Sequence, residues 1–270
     1  MAFELSLNTV TVRDRWNLAQ CIEGCARHGI PGISPWRDKL AEMGVPNAAR
    51  QIRDAGLTVT GLCRGGMFPA ADEAGRKAAI DDNRRAIAEA HAIGAQCLVV
   101  LGGGLPQGSK DLPGARRMFH DGLAAVLPEA RAAGVTIALE PLHPMTCADR
   151  SVLSTLAQAL DLCDEFGAGV GVAVDVYHVW WDPDLARQLA RAGARIAAFH
   201  ACDWLVPTTD LVFDRGMPGD GVIDIPAIRA MVTEAGYRGY TEIELLSRRW
   251  WSEDPDHVLR FMKERHASAC

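Results

Sequence analysis

The sequence predicts an α/β protein built as a closed (β/α)8 (TIM) barrel in a single domain. Short apolar stretches typical of strands alternate about eight times with amphipathic stretches typical of helices. The helical stretches repeatedly end at a glycine, and the next strand follows within a few residues. Strands that alternate with helices are parallel, and eight such units close into a barrel. The length of 270 residues fits this fold class, because α/β barrels of about 250 residues form single domains.

The eight predicted strands follow one another without a linker or a low-complexity segment. They are residues 3–8, 30–35, 57–63, 96–101, 135–140, 170–175, 195–200 and 240–245. Between strands three and four, the stretch 76–94 places its apolar residues on one helical stripe, and Gly94 is its expected stop. A doubly wound open sheet is the alternative, but it usually carries a GxGxxG turn after the first strand, which this sequence lacks. We therefore expect one domain over residues 1–270.

Composition and charge exclude several classes of protein. The formal net charge of −6, without any Lys/Arg-rich run, argues against a nucleic-acid partner. The start of the chain lacks the features of a signal peptide, and the longest apolar run, at 168–176, contains Asp175 and is too short for a membrane span. The 8 cysteines form no CxxC pair, which indicates buried free thiols in a reducing cytosol. We expect a cytoplasmic protein with no membrane partner, either a homo-oligomer or a hetero-subunit.

Four consecutive strands end in a polar residue that a hydrophobic core would not select. The fifth ends in Glu140, the sixth in Asp175 and the seventh in His200, and the eighth reaches Glu244. The carboxyl ends of neighbouring strands meet at the barrel mouth, where three carboxylates would repel one another. A divalent cation removes this conflict. Three carboxylates and one imidazole suit Mn²⁺ first, with Mg²⁺, Co²⁺ or Zn²⁺ as alternatives.

Each of these residues has another explanation when it is taken alone. Asp175 could cap a helix, His200 could be a satisfied core residue, and Glu244 could lie at the surface. Glu242 competes with Glu244, because it lies two residues earlier on the same side of the strand, although deeper in the barrel. Four such endings on consecutive strands favour a shared metal site.

The segments that carry these residues resemble the sugar phosphate isomerase/epimerase superfamily, the xylose isomerase-like barrels. The similarity is strongest in the second half of the chain. The first half matches only in its alternation of strands and helices. The matching segments are LEP at 139–141, VDVYH at 174–178, AFHACD at 198–203, RGMPGDGVIDI at 215–225 and EIELLS at 242–247.

This resemblance implies roles for individual residues. His178 would face the substrate, and Arg215 would reach in from the loop after strand seven to hold a substrate oxygen. A surface salt bridge with Asp214 or Asp220 is the alternative for Arg215. The implied metal ligands are Glu140, Asp175, His200 and Glu244.

One position departs from the ketose epimerases of this superfamily. In those enzymes a second glutamate follows the strand-five ligand by six residues and serves as one of two opposed acid/bases, whereas this chain has Thr146 there. His143 is the nearest replacement, and a histidine in this loop is closer to the inosose-type members. His143 could also be a loop residue bonded to backbone. The candidate acid/base residues are Glu140, Glu244, His178 and His143.

These features predict a divalent-metal-dependent isomerase or epimerase. It would act on a ketose, keto-sugar or inosose through a metal-stabilised enediolate. If the enediolate instead expelled a β-hydroxyl, the chain would be a lyase or dehydratase acting on an inosose, dehydroshikimate or 3-keto-glycoside, including C-glycoside cleavage. An abasic-site endonuclease is a weaker alternative, because the early strands lack the further His and Asp ligands that it needs. A non-catalytic barrel is also weaker, because the ligand set is intact.

Two tryptophans are the best candidates to contact a sugar at the mouth. Trp36 follows strand two and Trp204 follows strand seven, and packing between loops is the alternative for each. The sequence has no phosphate-binding P-loop, and the glycines at 102–104 predict a tight turn rather than a phosphate site. The expected partner is therefore an unphosphorylated polyol ketone or a keto-glycoside.

Overall fold

The computed structural model describes residues 3–270 and confirms the (β/α)8 barrel. Seven of the eight predicted strands each correspond to one observed strand, and the third corresponds to two. The strands are β1 (Glu4–Asn8), β2 (Gly32–Ser34), β3 (Thr58–Val59), β4 (Leu62–Gly66), β5 (Cys97–Leu101), β6 (Thr136–Glu140), β7 (Val170–Asp175), β8 (Ile196–Ala201), β9 (Asp203–Trp204), β10 (Arg215–Gly216) and β11 (Tyr240–Ile243).

The helices surround the sheet. They are α1 (Leu18–His28), α2 (Arg37–Met43), α3 (Val45–Asp54), α4 (Glu73–Ala92), α5 (Leu112–Ala132), α6 (Leu156–Phe166), α7 (Val176–Val179), α8 (Leu185–Ala192), α9 (Ile225–Glu234), α10 (Arg248–Ser252) and α11 (Pro255–Ala269). Helix α4 matches the predicted stretch 76–94, and Gly94 follows it with a positive φ of 69°. Side-chain caps begin several of these helices, as where Asp72 accepts the Gly75 N–H at 2.7 Å.

Parallel pairing joins the barrel strands in the order β3-β2-β1-β11-β8-β7-β6-β5-β4. The prediction of one continuous third strand, 57–63, is wrong, because strand pairing is interrupted between β3 and β4. The first piece pairs with β2 and the second pairs with β5, and a parallel bridge between Trp36 and Cys63 closes the gap. At the break, Thr60 turns its hydroxyl toward Ser6 and Glu242 in the barrel interior. Strands β9 and β10 form a separate antiparallel pair above β8.

Apolar residues pack in two layers. The larger cluster lies between the sheet and the helices and includes Leu7, Ile33 and Val174. The smaller cluster fills the barrel interior with small side chains, among them Cys97, Ala138, Ala173 and Ala198. Interior positions nearer the mouth are polar instead. The core therefore fixes the strands, and the space above it is left to polar groups.

Two further predictions concern the cysteines and membrane-spanning segments. All eight cysteines are free, and seven of them are buried, as the absence of CxxC pairs predicted. Within residues 3–270, no helix combines the length and the apolar character that a membrane crossing requires.

Candidate metal centre

Four side chains from the second half of the barrel converge at its mouth. One donor atom from each lies within 4.8 Å of the others, and all four residues are buried. The strand register explains this convergence, because Asp175 of β7 lies directly beside His200 of β8. The structure thus brings together the four predicted ligands. Within residues 3–270 they are the one group of this kind: Glu140, Asp175, His200 and Glu244.

The imidazole of His200 separates Glu244 from its competitor Glu242. Its Nδ1 lies 3.1 Å from Glu140 Oε1 and 3.7 Å from Glu244 Oε2. Its Nε2, on the opposite side of the ring, lies 3.4 Å from Glu242 Oε1. Glu244 therefore faces the mouth with the other donors, whereas Glu242 lies deeper and approaches the imidazole from behind.

Two residues from the first half of the barrel hold these glutamates. Asn8 Nδ2 donates to Glu242 Oε1 at 2.7 Å and to Glu244 Oε1 at 3.2 Å. Thr60 Oγ1 donates to Glu242 Oε2 at 2.9 Å. Neither Asn8 nor Thr60 was predicted from the sequence. The available signal for Asn8 was a polar residue at the end of a predicted strand, whereas Thr60 lies in the middle of one and gave no signal.

Arg215 reaches into this group, as the sequence predicted. Its Nη1 lies 3.2 Å from Asp175 Oδ2 and 3.8 Å from Glu244 Oε2. The side chain is buried, and its Nε has no hydrogen-bond partner among the described residues. Asp214 and Asp220 contact other residues. The surface salt bridge considered for Arg215 is therefore not present.

Asp175 serves two functions at once. Its Oδ1 accepts the backbone N–H of Tyr177 at 2.9 Å and caps α7, which is the alternative considered from the sequence. Its Oδ2 faces Arg215 and also lies 3.6 Å from His178 Nε2. A helix cap and a place in the donor group are thus compatible in one carboxylate.

His178 is buried beside Asp175, with both ring nitrogens near polar partners. Its Nδ1 accepts the backbone N–H of His143 at 3.1 Å, and its Nε2 lies 3.2 Å from Arg215 Nη2. Burial, and then the charge of Arg215, hold the pKa of His178 well below its usual range. The ring is therefore neutral at pH 7, with Nε2 near Asp175.

The remaining predicted contacts lie in the loops around the mouth. His143 Nδ1 accepts the backbone N–H of Met145 at 3.2 Å, which is the backbone-bonded alternative considered for this residue. Its ring lies 5.0 Å from Trp204, which also stacks on Tyr177 at 4.8 Å. Trp204 thus packs between loops, whereas Trp36 lines the cavity itself.

Thr146 and the glycines at 102–104 both lie in loops around the mouth. Thr146 Oγ1 donates to the His143 carbonyl at 2.8 Å, so this hydroxyl is bonded within its own loop. The tight turn predicted for 102–104 is wrong, because Gly103 instead forms a parallel bridge with Ser151 and the glycines pack against the segment 148–152. Gly103 has a positive φ of 74°, and the Gly102 N–H donates to Ser151 Oγ at 3.1 Å.

Asp203 holds the loop that carries Arg215, and sequence reasoning missed it. Its carboxylate accepts the backbone N–H groups of Gly219, Gly221 and Ile223 at 2.9, 2.9 and 3.0 Å. A Cβ atom at Gly221 would lie 2.2 Å from the carbonyl oxygen of Trp204, so only glycine fits there. The glycine-containing segment 219–224 (GDGVID) therefore holds this loop in place.

The cavity above the donor group has an acidic floor. Glu140, Glu244, His178 and Arg215 line it together with Trp36, whereas Asp175 and His200 do not. The two glutamates are therefore the donor-group carboxylates that line this cavity.

Negative charge exceeds positive charge in this group. Burial raises the pKa of Asp175 to about 6, and burial together with Glu140 raises the pKa of Glu244 to about 7. Burial opposes protonation of His200, but Glu242 and Glu140 raise its pKa well above the usual value. Carboxylates in such surroundings accept protons or a cation, and the geometry of the donors fits a divalent ion.

Curated relatives of this chain include two sugar-converting enzymes. Inosose isomerase of Bacillus velezensis (strain DSM 23117 / BGSC 10A6 / LMG 26770 / FZB42) is 25% identical, over 97% of this chain and 95% of that protein. L-ribulose-5-phosphate 3-epimerase UlaE of Escherichia coli O1:K1 / APEC is 27% identical, over 76% of this chain and 69% of that protein.

Solved structures give the same fold. Protein SMc04130 of Sinorhizobium meliloti 1021 is 55% identical with a TM-score of 0.97, over 98% of each chain. IolI protein, solved with a bound zinc atom, has a TM-score of 0.85 at 22% identity, over 99% of this chain and 98% of that one, which shows the fold alone. The family model described as "xylose isomerase-like TIM barrel" matches residues 22–265. The chain therefore belongs to the family of xylose isomerase-like TIM barrels, as the sequence resemblance indicated.

Proposed function

We propose that this protein is a divalent-metal-dependent isomerase or epimerase of a ketose, a keto-sugar or an inosose. The observation that carries the proposal is the convergence of four buried donor atoms within 4.8 Å at the floor of a cavity. The names of its relatives, an inosose isomerase and an L-ribulose-5-phosphate 3-epimerase, support this class of reaction.

The metal would be held by four residues, with His200 contributing Nδ1, because its Nε2 faces Glu242. When bound, a divalent cation supplies Lewis-acid stabilisation of negative charge on a substrate oxygen. The oxygen-rich donor set favours Mn²⁺, and the zinc bound to IolI makes Zn²⁺ the main alternative. The proposed ligands are Glu140, Asp175, His200 and Glu244.

We assign proton transfer to Glu140 and Glu244. These two carboxylates face the cavity, so either can reach a proton on a carbon beside a ketone. Asp175 does not line the cavity, and its oxygens contact Arg215 and the cap of α7, so it is not assigned to this task.

We assign substrate binding to Arg215, His178 and Trp36. The Arg215 guanidinium is fixed by Asp175, and as a permanent cation it can anchor a substrate oxygen. His178 already accepts a hydrogen bond at Nδ1, so positioning a hydroxyl suits it better than removing a proton. His143 supplies the backbone N–H that orients His178, which makes it a positioning residue.

Isomerisation or epimerisation is favoured over β-elimination. Both curated relatives are named for the former reactions. In place of the epimerases' second acid/base glutamate, this chain has Thr146, whose hydroxyl is bonded within its loop. Glu140 and Glu244 therefore have to provide the acid/base pair themselves.

Metal analysis and proton exchange test this proposal together. Purified wild type and Glu140→Ala would be analysed for bound metal, then incubated with ketoses and inososes in D₂O and followed by NMR. We expect about one divalent ion per wild-type chain, uptake of deuterium beside the ketone of one sugar, and loss of both in the variant. Glu129→Ala, at an exposed glutamate paired with Arg84, is the control and should retain both. Metal-free wild type that gains no exchange on addition of Mn²⁺ or Zn²⁺ would refute the proposal.

A further inference from the structure

Two arginines without an acidic partner line the cavity above the candidate metal centre. Arg64 lies in β4 and Arg150 lies in the loop after β6, and both are half-buried. Arg64 Nη1 donates to the sulfur of Met67 at 3.1 Å. Among residues 3–270, no carboxylate oxygen lies within 4 Å of either guanidinium, and the Arg150 guanidinium makes no hydrogen bond to them.

The arginines around them are paired. Arg13 pairs with Asp38 beside Trp36, and Arg37 donates to Asp82 at 2.8 Å. Arg215, on the same cavity wall, pairs with Asp175. Arg64 and Arg150 therefore differ from these three neighbouring arginines.

Arg150 lies among both like and opposite charges. Burial, followed by the charges of Arg215 and Arg64, lowers the pKa of Arg150, and the smaller effects of Asp149 and Glu244 oppose this shift. Glu140 and Glu244 line the same cavity, but they point into the donor group, where a bound cation would neutralise them. The rim of the loaded site therefore carries positive charge that the protein itself does not balance.

We propose that the substrate carries an anionic group, a carboxylate or a phosphate, which Arg64 and Arg150 hold at the mouth. The ketone would then lie below it, near Glu140 and Glu244. This inference rests on the proposed function and refines its substrate class. It replaces the unphosphorylated polyol expected from the sequence, where the absence of a P-loop was the main argument. The planar guanidinium binds both oxyanions in bidentate fashion without such a loop.

Matched sugars that differ only at one end test this inference. Metal-loaded protein would be titrated by calorimetry with D-fructose, D-tagatose and D-psicose, each beside its 6-phosphate and its 6-carboxylate. We expect at least one charged sugar to bind about tenfold or more tightly than its neutral parent, and to lose this advantage in Arg64→Gln and Arg150→Gln. The form that shows the advantage identifies the anion.

A control and a second readout separate the inference from the proposed function. Arg187→Gln removes an exposed arginine paired with Asp184 and should keep the preference for charge. A panel in which no charged sugar binds better than its neutral parent would overturn the inference, as would a preference that survives in the double variant Arg64→Gln/Arg150→Gln. Deuterium exchange on the same sugars reports on the proposed function alone. Charged sugars that bind through these arginines without any exchange would support the anion site and refute the isomerase.

Discussion

The two halves of the barrel contribute different chemistry to one mouth. Strands β6 to β8 and β11 supply the donor group, which consists of three carboxylates and one imidazole. The first half supplies no member of that group. It contributes uncharged side chains, Asn8 and Thr60, and the cavity-lining residues Trp36 and Arg64.

The first half of the barrel therefore supports the site, and the second half carries its reactive groups. Asn8 and Thr60 reach across the barrel interior to Glu242, and Glu242 in turn approaches His200. The first half therefore fixes the orientation of donors that the second half presents. Changes in the second half should remove the site or the fold around it, whereas changes in the first half should weaken a site that persists.

The largest effect on stability is expected at Arg215. In Arg215→Met, the buried Asp175 loses its cation, so the free energy of unfolding should fall by about 3 to 5 kcal/mol in urea denaturation of the metal-free protein. Arg265→Met breaks a partly exposed pair with Asp220 in the same half and should cost about 1 kcal/mol or less. Equal losses in the two variants would show that Arg215 is no more important than a surface arginine.

A smaller effect is expected where the first half supports the second. Glu242→Gln retains the four proposed ligands but removes the carboxylate behind His200, so metal affinity should fall by about 10- to 100-fold. Asn8→Ala acts on the same glutamate and should lower affinity in the same direction, by less. Competition with a fluorescent chelator measures both, with the exposed Glu4→Gln as control. Unchanged affinity in both Glu242→Gln and Asn8→Ala would mean that the two halves are independent.

The remaining effect concerns pH and needs no substitution. The pKa of Asp175 is raised to about 6 and that of Glu244 to about 7, so both carboxyls bind protons that a metal has to displace. Metal affinity should therefore rise with pH between about 5.5 and 7.5, by up to about tenfold per unit for each proton released. Calorimetry in buffers of different ionisation enthalpy counts those protons. Binding that releases none near pH 6 would show that the donors are already ionised.

Much of this arrangement could be predicted from the sequence, since it depends on local patterns. Short apolar stretches and helix-ending glycines located the eight barrel strands, although the third is broken in two. Polar strand ends identified the four donors, whose role as ligands stays a prediction. The break after β3 was not predicted, because the apolar and β-branched residues of LTVTGLC are typical of one continuous strand and Thr60 looks like an ordinary strand residue. Glu242 and Glu244 point to the same side of one strand, and the position of His200 shows which of them lies with the other donors.

The supporting contacts could not be predicted from the sequence, for a different reason. Asn8 and Glu242 are 234 positions apart, and a single asparagine at a strand end has many other uses. Asp203 accepts three backbone N–H groups, and backbone donors leave no mark in a sequence. The unpaired state of Arg64 and Arg150 likewise depends on which carboxylates lie nearby in space.

Anomalous diffraction from crystals of the wild-type protein grown with Mn²⁺ tests the central claim most directly. The account predicts a single strong peak at the manganese edge, within bonding distance of Glu140, Asp175, Glu244 and Nδ1 of His200. No peak at the mouth, or a peak bound by Glu242 and Nε2 of His200 instead, would contradict it.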